Sequence, residues 1–469
     1  MHKHVSLGLR LVLVAAIAYL LQSLLLPDAD AAGGTGMLLA YAVLTNSDVN
    51  KIWRKAQGKL ATGFNFVTPE FRWVNDFKEL EIDASLREMT FPIDLHEDRG
   101  ITMLPEGGRE AEPMSVNAED ATVTFVHANG RFTVSKLARW AGQADGGRGM
   151  IERQIRFQGL HKVRAMGRVI GDQFYGFSTG VLAMVDDGNG SLTSGASHTI
   201  PLKNAYGSSS IPGTTAAQKA FIADKFKVGD QVALVDPGGG TLVTNAIGRV
   251  TGVNPATPSI TVTWIPGNVD PSDGDYVVLA NGANASTLQH TSYNRCLVGL
   301  LEMMTAASVH GIATATVPNW SAAYSDTSSG RFDGVKYRKA VDEIRNYGDE
   351  DAEVQTLMAQ GVYRDVVAQY SAAVQFADPM RLEIDGDARA GGKRIRGTRR
   401  VPPGFVFLFD SGRAIRKKAL LEQPRQGPMW ADGKELIDDS GWIFAIDWPL
   451  LLATQNRKLL AYFANQSES

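Results

Sequence analysis

A chain of 469 residues is longer than one ordinary core supports and divides into two or three domains. Its apolar and charged fractions, 44% and 21%, exclude a disordered or collagen-like chain. The formal net charge of -3, with both signs spread along the sequence, excludes a binder driven by overall basicity and confines any DNA contact to local patches.

Residues 1–36 read in two ways. His2, Lys3, His4 and Arg10 precede an apolar run from Leu11 to Leu26, and Ala29-Asp30-Ala31 is a small-residue cleavage pattern, so the segment has the form of an export signal. The alternative is a mis-assigned start, with translation beginning at Met37 after Gly33-Gly34-Thr35-Gly36, because two glycine codons can spell a purine-rich ribosome-binding sequence. We place the mis-start first. Residues 37–76 then form an N-terminal arm, with Asn46-Ser47-Asp48 capping a short helix through Ile52, Trp53 and Ala56.

Residues 77–137 read as a long two-stranded excursion. Met89, Phe91, Ile93 and Leu95 alternate with other residues, as do Val123 and Phe125, and Asn129-Gly130 signals a hairpin turn. Between the strands lies an acidic stretch, His96 to Asp120, with Glu97, Asp98, Glu106, Glu110, Glu112, Glu119 and Asp120 against Arg99 and Arg109. A long helix is predicted over 147–175, within a segment 138–185. Ile151, Ile155, Leu160, Val163, Met166 and Ile170 form its apolar stripe, and Arg153, Arg156, Lys162, Arg164 and Arg168 make it basic.

Residues 186–290 change character. β-branched runs between turn signals, such as Gln231 to Val235 and Ser259 to Trp264, predict a small inserted β-barrel or sandwich. Residues 291–469 return to α plus β, with a helix from Val335 to Tyr347, a second over 352–370, an apolar run Phe405 to Phe409, and a basic run of Lys393, Arg394, Arg396, Arg399 and Arg400. The fold class is therefore α+β with an all-β insertion.

No catalytic or cofactor site emerges. Cys296 is the one cysteine, so no intramolecular disulfide and no cysteine zinc site can form. The eight histidines show no metal-ligand spacing, and no cofactor or metal is expected. Gly176-Phe177-Ser178-Thr179-Gly180 matches a nucleophile elbow, but a helix enters and a strand leaves, the reverse of the order that motif needs. Gly238 to Thr241 lacks the P-loop lysine and reads as a turn. Complementary charge makes Glu97, Asp98, Arg99, Glu106, Arg109, Glu110 and Glu112 of the acidic stretch, Arg153, Arg156 and Arg164 of the basic helix, and Lys393, Arg394, Arg396, Arg399 and Arg400 the candidate subunit-interface residues.

The ordered series of parts resembles a known family. Gln173-Phe174-Tyr175-Gly176 ends the basic helix and leads into Gly180-Val181-Leu182-Ala183; Gly299-Leu300-Leu301-Glu302, His310-Gly311 and Pro318-Asn319-Trp320 follow the insertion. This is similar to the tailed-bacteriophage major capsid family with the Hong Kong 97-type capsid fold. The resemblance implies axial and peripheral domains, an extended loop reaching over a neighbour, and an arm lying across another. It implies hexamers and pentamers of the chain closing into an icosahedral shell around double-stranded DNA, with scaffold, portal and decoration proteins as further partners and no membrane in the mature shell. Assembly would take place in the host cytoplasm. Some members crosslink the loop through a lysine; no lysine lies between Lys78 and Lys136, so such a crosslink is not expected here. Two alternatives stand beside this reading: an encapsulin-like nanocompartment shell, and a secreted β-rich surface protein should residues 1–36 be a true signal.

Overall fold

The computed structural model describes residues 88–94, 118–135, 148–186, 197–265, 269–281, 291–347, 352–374, 389–390, 393–410, 412–419, 429–435 and 441–468, all within one compact unit, Leu44–Ser469. The first elements are β1 (Glu88–Asp94), β2 (Ala118–Thr124), β3 (Val126–Ser135) and the helix α1 (Arg148–Tyr175). Then come β4 (Val181–Val185), β5 (Ser197–Lys203), α2 (Ala216–Asp224), β6 (Gln231–Asp236), β7 (Thr241–Asn254), β8 (Ser259–Trp264) and β9 (Tyr276–Leu279). The chain continues through α3 (Leu300–Thr305), β10 (Ser308–Val309), β11 (Ile312–Ala313), β12 (Tyr324–Asp326), α4 (Gly334–Tyr347), β13 (Val354–Ala359) and α5 (Gln360–Val374). It ends with β14 (Arg389–Ala390), β15 (Lys393–Thr398), β16 (Val406–Asp410), β17 (Arg416–Ala419), β18 (Met429–Glu435), β19 (Gly441–Ala453) and β20 (Leu460–Phe463). The architecture is mixed α+β.

The alternation read from Phe91 and Ile93 places one face of the β1–β2 ribbon in the core. Phe91, Ile93, Ala121 and Val123 pack on Ile312, Trp320, Leu451 and Ala453. The Asn129-Gly130 expectation is corrected. Both residues lie inside the continuous strand β3, with Asn129 opposite Asp447 and Gly130 opposite Ile446 of β19. The ten-residue ladder to β19 outweighs the local turn preference, and the Asn129 amide hydrogen-bonds across it to the Asp447 carboxylate.

Helix α1 forms because its apolar residues keep a helical period. Ile155, Val163, Met166, Ile170 and Phe174 are buried in one core with Phe132 and Val134 of β3. Each such side chain contributes roughly 1.5–3 kcal/mol on burial, which outweighs the roughly 1 kcal/mol that each interior glycine costs a helix.

The strands from Val181 to Leu279 close into a six-stranded barrel in the order β4-β5-β8-β7-β6-β9, every pairing antiparallel. Strand β6 buries Val232 and Leu234 into the main core and Ala233 and Val235 into a separate cluster, as the period of two requires. Helix α2 begins with a capping box of Thr215 and Gln218 and adds Phe221 and Ile222 to the main core.

A six-stranded sheet, β12-β20-β16-β13-β15-β14, holds the rest of the core. The apolar run before Asp410 is its centre: all five residues of β16 are buried between β13 and β20. The expected helix over 352–370 is corrected in its first part. Val354–Ala359 is a strand, because Val354, Leu357 and Met358 are buried between β15 and β16, and the helix starts only at Gln360.

His310-Gly311 is the two-residue turn between β10 and β11, both residues having positive φ (56° and 84°), a type I′ geometry. His310 is tied down on both sides. Its carbonyl accepts from Thr122 N at 3.0 Å and its Nε2 accepts from Thr454 N at 3.0 Å. Burial, with a smaller contribution from Arg457, pushes its pKa down to about 3, so the ring stays neutral in the folded chain. An unfolded histidine titrates near its ordinary value, so this group's contribution is complete above about pH 6.5 and is lost as pH falls toward 3. Urea unfolding of wild type should therefore weaken by about 1.4 kcal/mol more per pH unit between pH 6 and 4 than unfolding of His310→Gln. Parallel slopes would refute it.

Candidate assembly surface

The face of α1 opposite its core contacts is turned outward. Arg153, Phe157, His161, Lys162 and Arg164 are exposed, Phe157 to 65%. Arg153, Phe157, His161 and Arg164 follow one another at helical spacing and line a stripe about 16 Å long. The Phe157 and His161 rings meet edge to face at 4.4 Å. Asp172, the carboxylate among the described side chains of α1, is instead only 15% exposed. The stripe is thus cationic with an apolar ring at its middle, a composition suited to an acidic partner segment.

The other predicted charges are distributed differently. Arg156 is half-buried and Arg168 is bonded to both carboxylate oxygens of Asp230, at 2.8 and 3.0 Å. Lys393 and Arg394 lie in β15, paired with β14, and Arg396 is half-buried in the same strand. Arg399 is exposed, its Nε donating to Gln360 Oε1 at 3.1 Å. Arg400 turns inward, its Nε 3.8 Å from Asp172 Oδ1. The structure therefore brings the basic run and α1 together at Arg400 and Asp172. Glu97, Asp98, Arg99, Glu106, Arg109, Glu110 and Glu112 lie outside the described residues. Of the same acidic stretch, Glu119 is half-buried and Asp120 exposed, both on β2.

The motif Gly176 to Gly180 is a turn between α1 and β4. Glu302 of α3 holds it: the Ser178 backbone N–H and hydroxyl both donate to its carboxylate, the hydroxyl at 2.8 Å. Burial raises the Glu302 pKa, against the lowering effect of these two bonds. Gly299 explains the close seating. A Cβ there would lie 2.4 Å from Gly176 O and 2.5 Å from Gln173 O, so only glycine lets the start of α3 touch the end of α1. Cys296 lies beside this junction, and burial lifts its thiol to about 12, which keeps it protonated and unreactive. Among the described residues no three His, Cys, Asp or Glu side chains converge on a metal position. No helix there is long and apolar enough to cross a membrane.

Two buried cations carry no signal in the sequence. Lys225, just after α2, and Arg457, between β19 and β20, are 4% and 1% exposed although charged side chains are ordinarily found at the surface. Their partners lie far along the chain, so local pattern could not find them.

No family model matches the sequence, and no curated protein matches it. Among solved structures, the chain is similar to the capsid asymmetric unit of cyanophage A-1(L), at 11% identity over 95% of this chain and 98% of that one, with a TM-score of 0.47. It is also similar to a chain of the satellite phage P4 procapsid with its size-determination protein, at 9% identity over 100% and 98%, TM-score 0.39. The holo-SrpI encapsulin complex from Synechococcus elongatus PCC 7942 shares 9% identity over 94% and 96%, TM-score 0.37. Likenesses at this level leave the functional reading to the residues of this chain.

Proposed function

We propose that this chain is the major capsid protein of a tailed bacteriophage, a self-assembling shell subunit and not an enzyme. One observation carries the reading. The separate segments on which the family resemblance rests are tied by specific contacts to each other and to the rest of the chain. Gly299 seats on Gly176, Glu302 holds Ser178, His310 in the turn after β10 accepts from Thr454 just past β19, and Trp320 donates its indole N–H to Val309 O at 3.2 Å. Segments scattered over about 150 residues would have no reason to meet in this way had they matched by chance.

On this reading the fold is of the Hong Kong 97 type. α1 is the spine of the peripheral domain, the β1–β2 ribbon is the base of the extended loop, and the barrel is an insertion between α1 and α3. The acidic stretch of one subunit reaches the cationic stripe of the next, a heterologous contact of the kind that closes rings. Hexamers and pentamers then form an icosahedral head around double-stranded DNA, with scaffold, portal and decoration proteins as further partners. The shell is assembled in the host cytoplasm.

Negative-stain microscopy of the expressed chain tests this directly. The expected result is icosahedral particles or ring-shaped capsomers that dissolve in hot detergent to the monomer mass. A dispersed monomer overturns the shell reading; particles that hold an enzyme cargo and no DNA favour the nanocompartment; a ladder of covalent oligomers overturns the non-crosslinked loop.

A further inference from the structure

The seat of the barrel on α1 encloses a buried cation. Lys225, at the end of α2, is almost fully buried. Its Nζ lies 2.5 Å from the Tyr206 hydroxyl, 4.4 and 4.1 Å from the Tyr206 and Phe221 ring centres, and 3.8 Å from Asp172 Oδ1 of α1. The same carboxylate oxygen is 3.8 Å from Arg400 Nε, in the turn between β15 and β16. Tyr206 in turn donates to the Asp172 backbone carbonyl at 3.2 Å. Two cations thus share one carboxylate across three elements: the barrel helix, α1 and the sheet.

Arginine does not give up its proton in a protein, whereas a buried ammonium can. We propose that Lys225 is a protonation-sensitive clasp that sets how tightly α2 and the barrel seat on α1. The groups facing it are Asp172 from α1, Arg400 from the β15–β16 turn, Tyr206 from the turn after β5 and Asp224 from α2 itself. Arg168 and Asp230, which line the same pocket or flank it, are satisfied by each other. Burial is the main cause that brings the Lys225 pKa down to about 8, with Arg400 adding to it and Asp172 opposing. The Tyr206 phenol, raised by burial and by Asp172, stays protonated throughout.

The direction follows from linkage. When the seat opens, the amine regains an ordinary lysine pKa and binds a proton that the closed state holds weakly. Opening is therefore favoured at low pH, and the seat tightens as pH rises through about 8 toward the ordinary value of 10.5.

Hydrogen exchange of the full chain, corrected for the intrinsic rate, measures this. Opening of the α2 amides should be roughly tenfold rarer at pH 9 than at pH 7 in wild type. In Lys225→Met it should not change with pH. A flat wild-type profile, or an equal pH dependence in the variant, overturns the proposal. Should the variant not fold, direct titration of the Lys225 side chain by carbon-13 lysine labelling in the wild type decides. A midpoint near 8 supports the clasp, and one near 10.5 overturns it.

Discussion

Replacement of Arg457 by methionine is expected to destabilise the fold by about 3–5 kcal/mol. Arg457 is 1% exposed, and its fork donates to three backbone carbonyls: Nε to Met303 at 2.7 Å, Nη1 to Trp320 at 2.8 Å and Nη2 to Ala306 at 3.0 Å. Two of these carbonyls close the C-terminal end of α3, which the short helix cannot satisfy from within. Burial lowers the Arg457 pKa to about 10, so it remains charged at neutral pH. Methionine removes the cost of burying that charge but leaves three acceptors without a donor, at roughly 1–3 kcal/mol each, so the loss wins. Lysine should recover only part of the stability, because one ammonium cannot reproduce the planar fork. Urea unfolding followed by tryptophan fluorescence reads this, since Trp320 sits against the guanidinium at 6.0 Å. A change below about 1 kcal/mol would show that the carbonyls find other donors.

What the sequence made legible was whatever depends on a local period. The stripe of Ile155, Val163, Met166 and Ile170 repeats at helical spacing, and α1 runs from Arg148 to Tyr175 where a helix over 147–175 is expected. The continuous apolar run Phe405 to Phe409 stands out in the sequence, and β16, which begins within it, is buried along its whole length. Legibility failed where a distant partner overrides local preference. Asn129-Gly130 is a turn signal in isolation, but β19, more than 300 residues later, converts it to mid-strand. Val354–Ala359 resembles the start of a helix until β15 and β16 flank it. Buried cations are the extreme case. Arg457 takes its meaning from carbonyls about 150 residues away, and Lys225 from a carboxylate on α1. In the candidate surface the same division holds: the exposed stripe on α1 follows from helical spacing, whereas the inward turn of Arg400 to Asp172 does not follow from any pattern in the run 393–400.

The stripe itself gives the prediction with the largest functional effect. Reversal of two of its charges, Arg153→Glu with Arg164→Glu, is expected to abolish particle formation while leaving a folded subunit. Both side chains are exposed, so the cost to folding should stay within about 0.5 kcal/mol. An exposed ion pair is worth at most about 1 kcal/mol, and reversal exchanges that attraction for a comparable repulsion, or roughly 2 kcal/mol per pair. Two pairs at each contact would weaken the association constant by roughly a thousandfold, about 1.4 kcal/mol being a factor of ten. In the closed rings of the proposed shell every subunit would repeat the defect, so the loss would compound around each ring. Raising the salt should restore assembly in part, because screening weakens repulsion as it weakens attraction. The decisive arm is the swap: Glu106→Arg with Glu110→Arg, added to the reversed helix, should restore particles to a subunit that had lost them. Loss without rescue would mean that the cationic stripe meets some partner other than the acidic stretch, and undiminished assembly in the reversed helix would remove the stripe from the interface altogether.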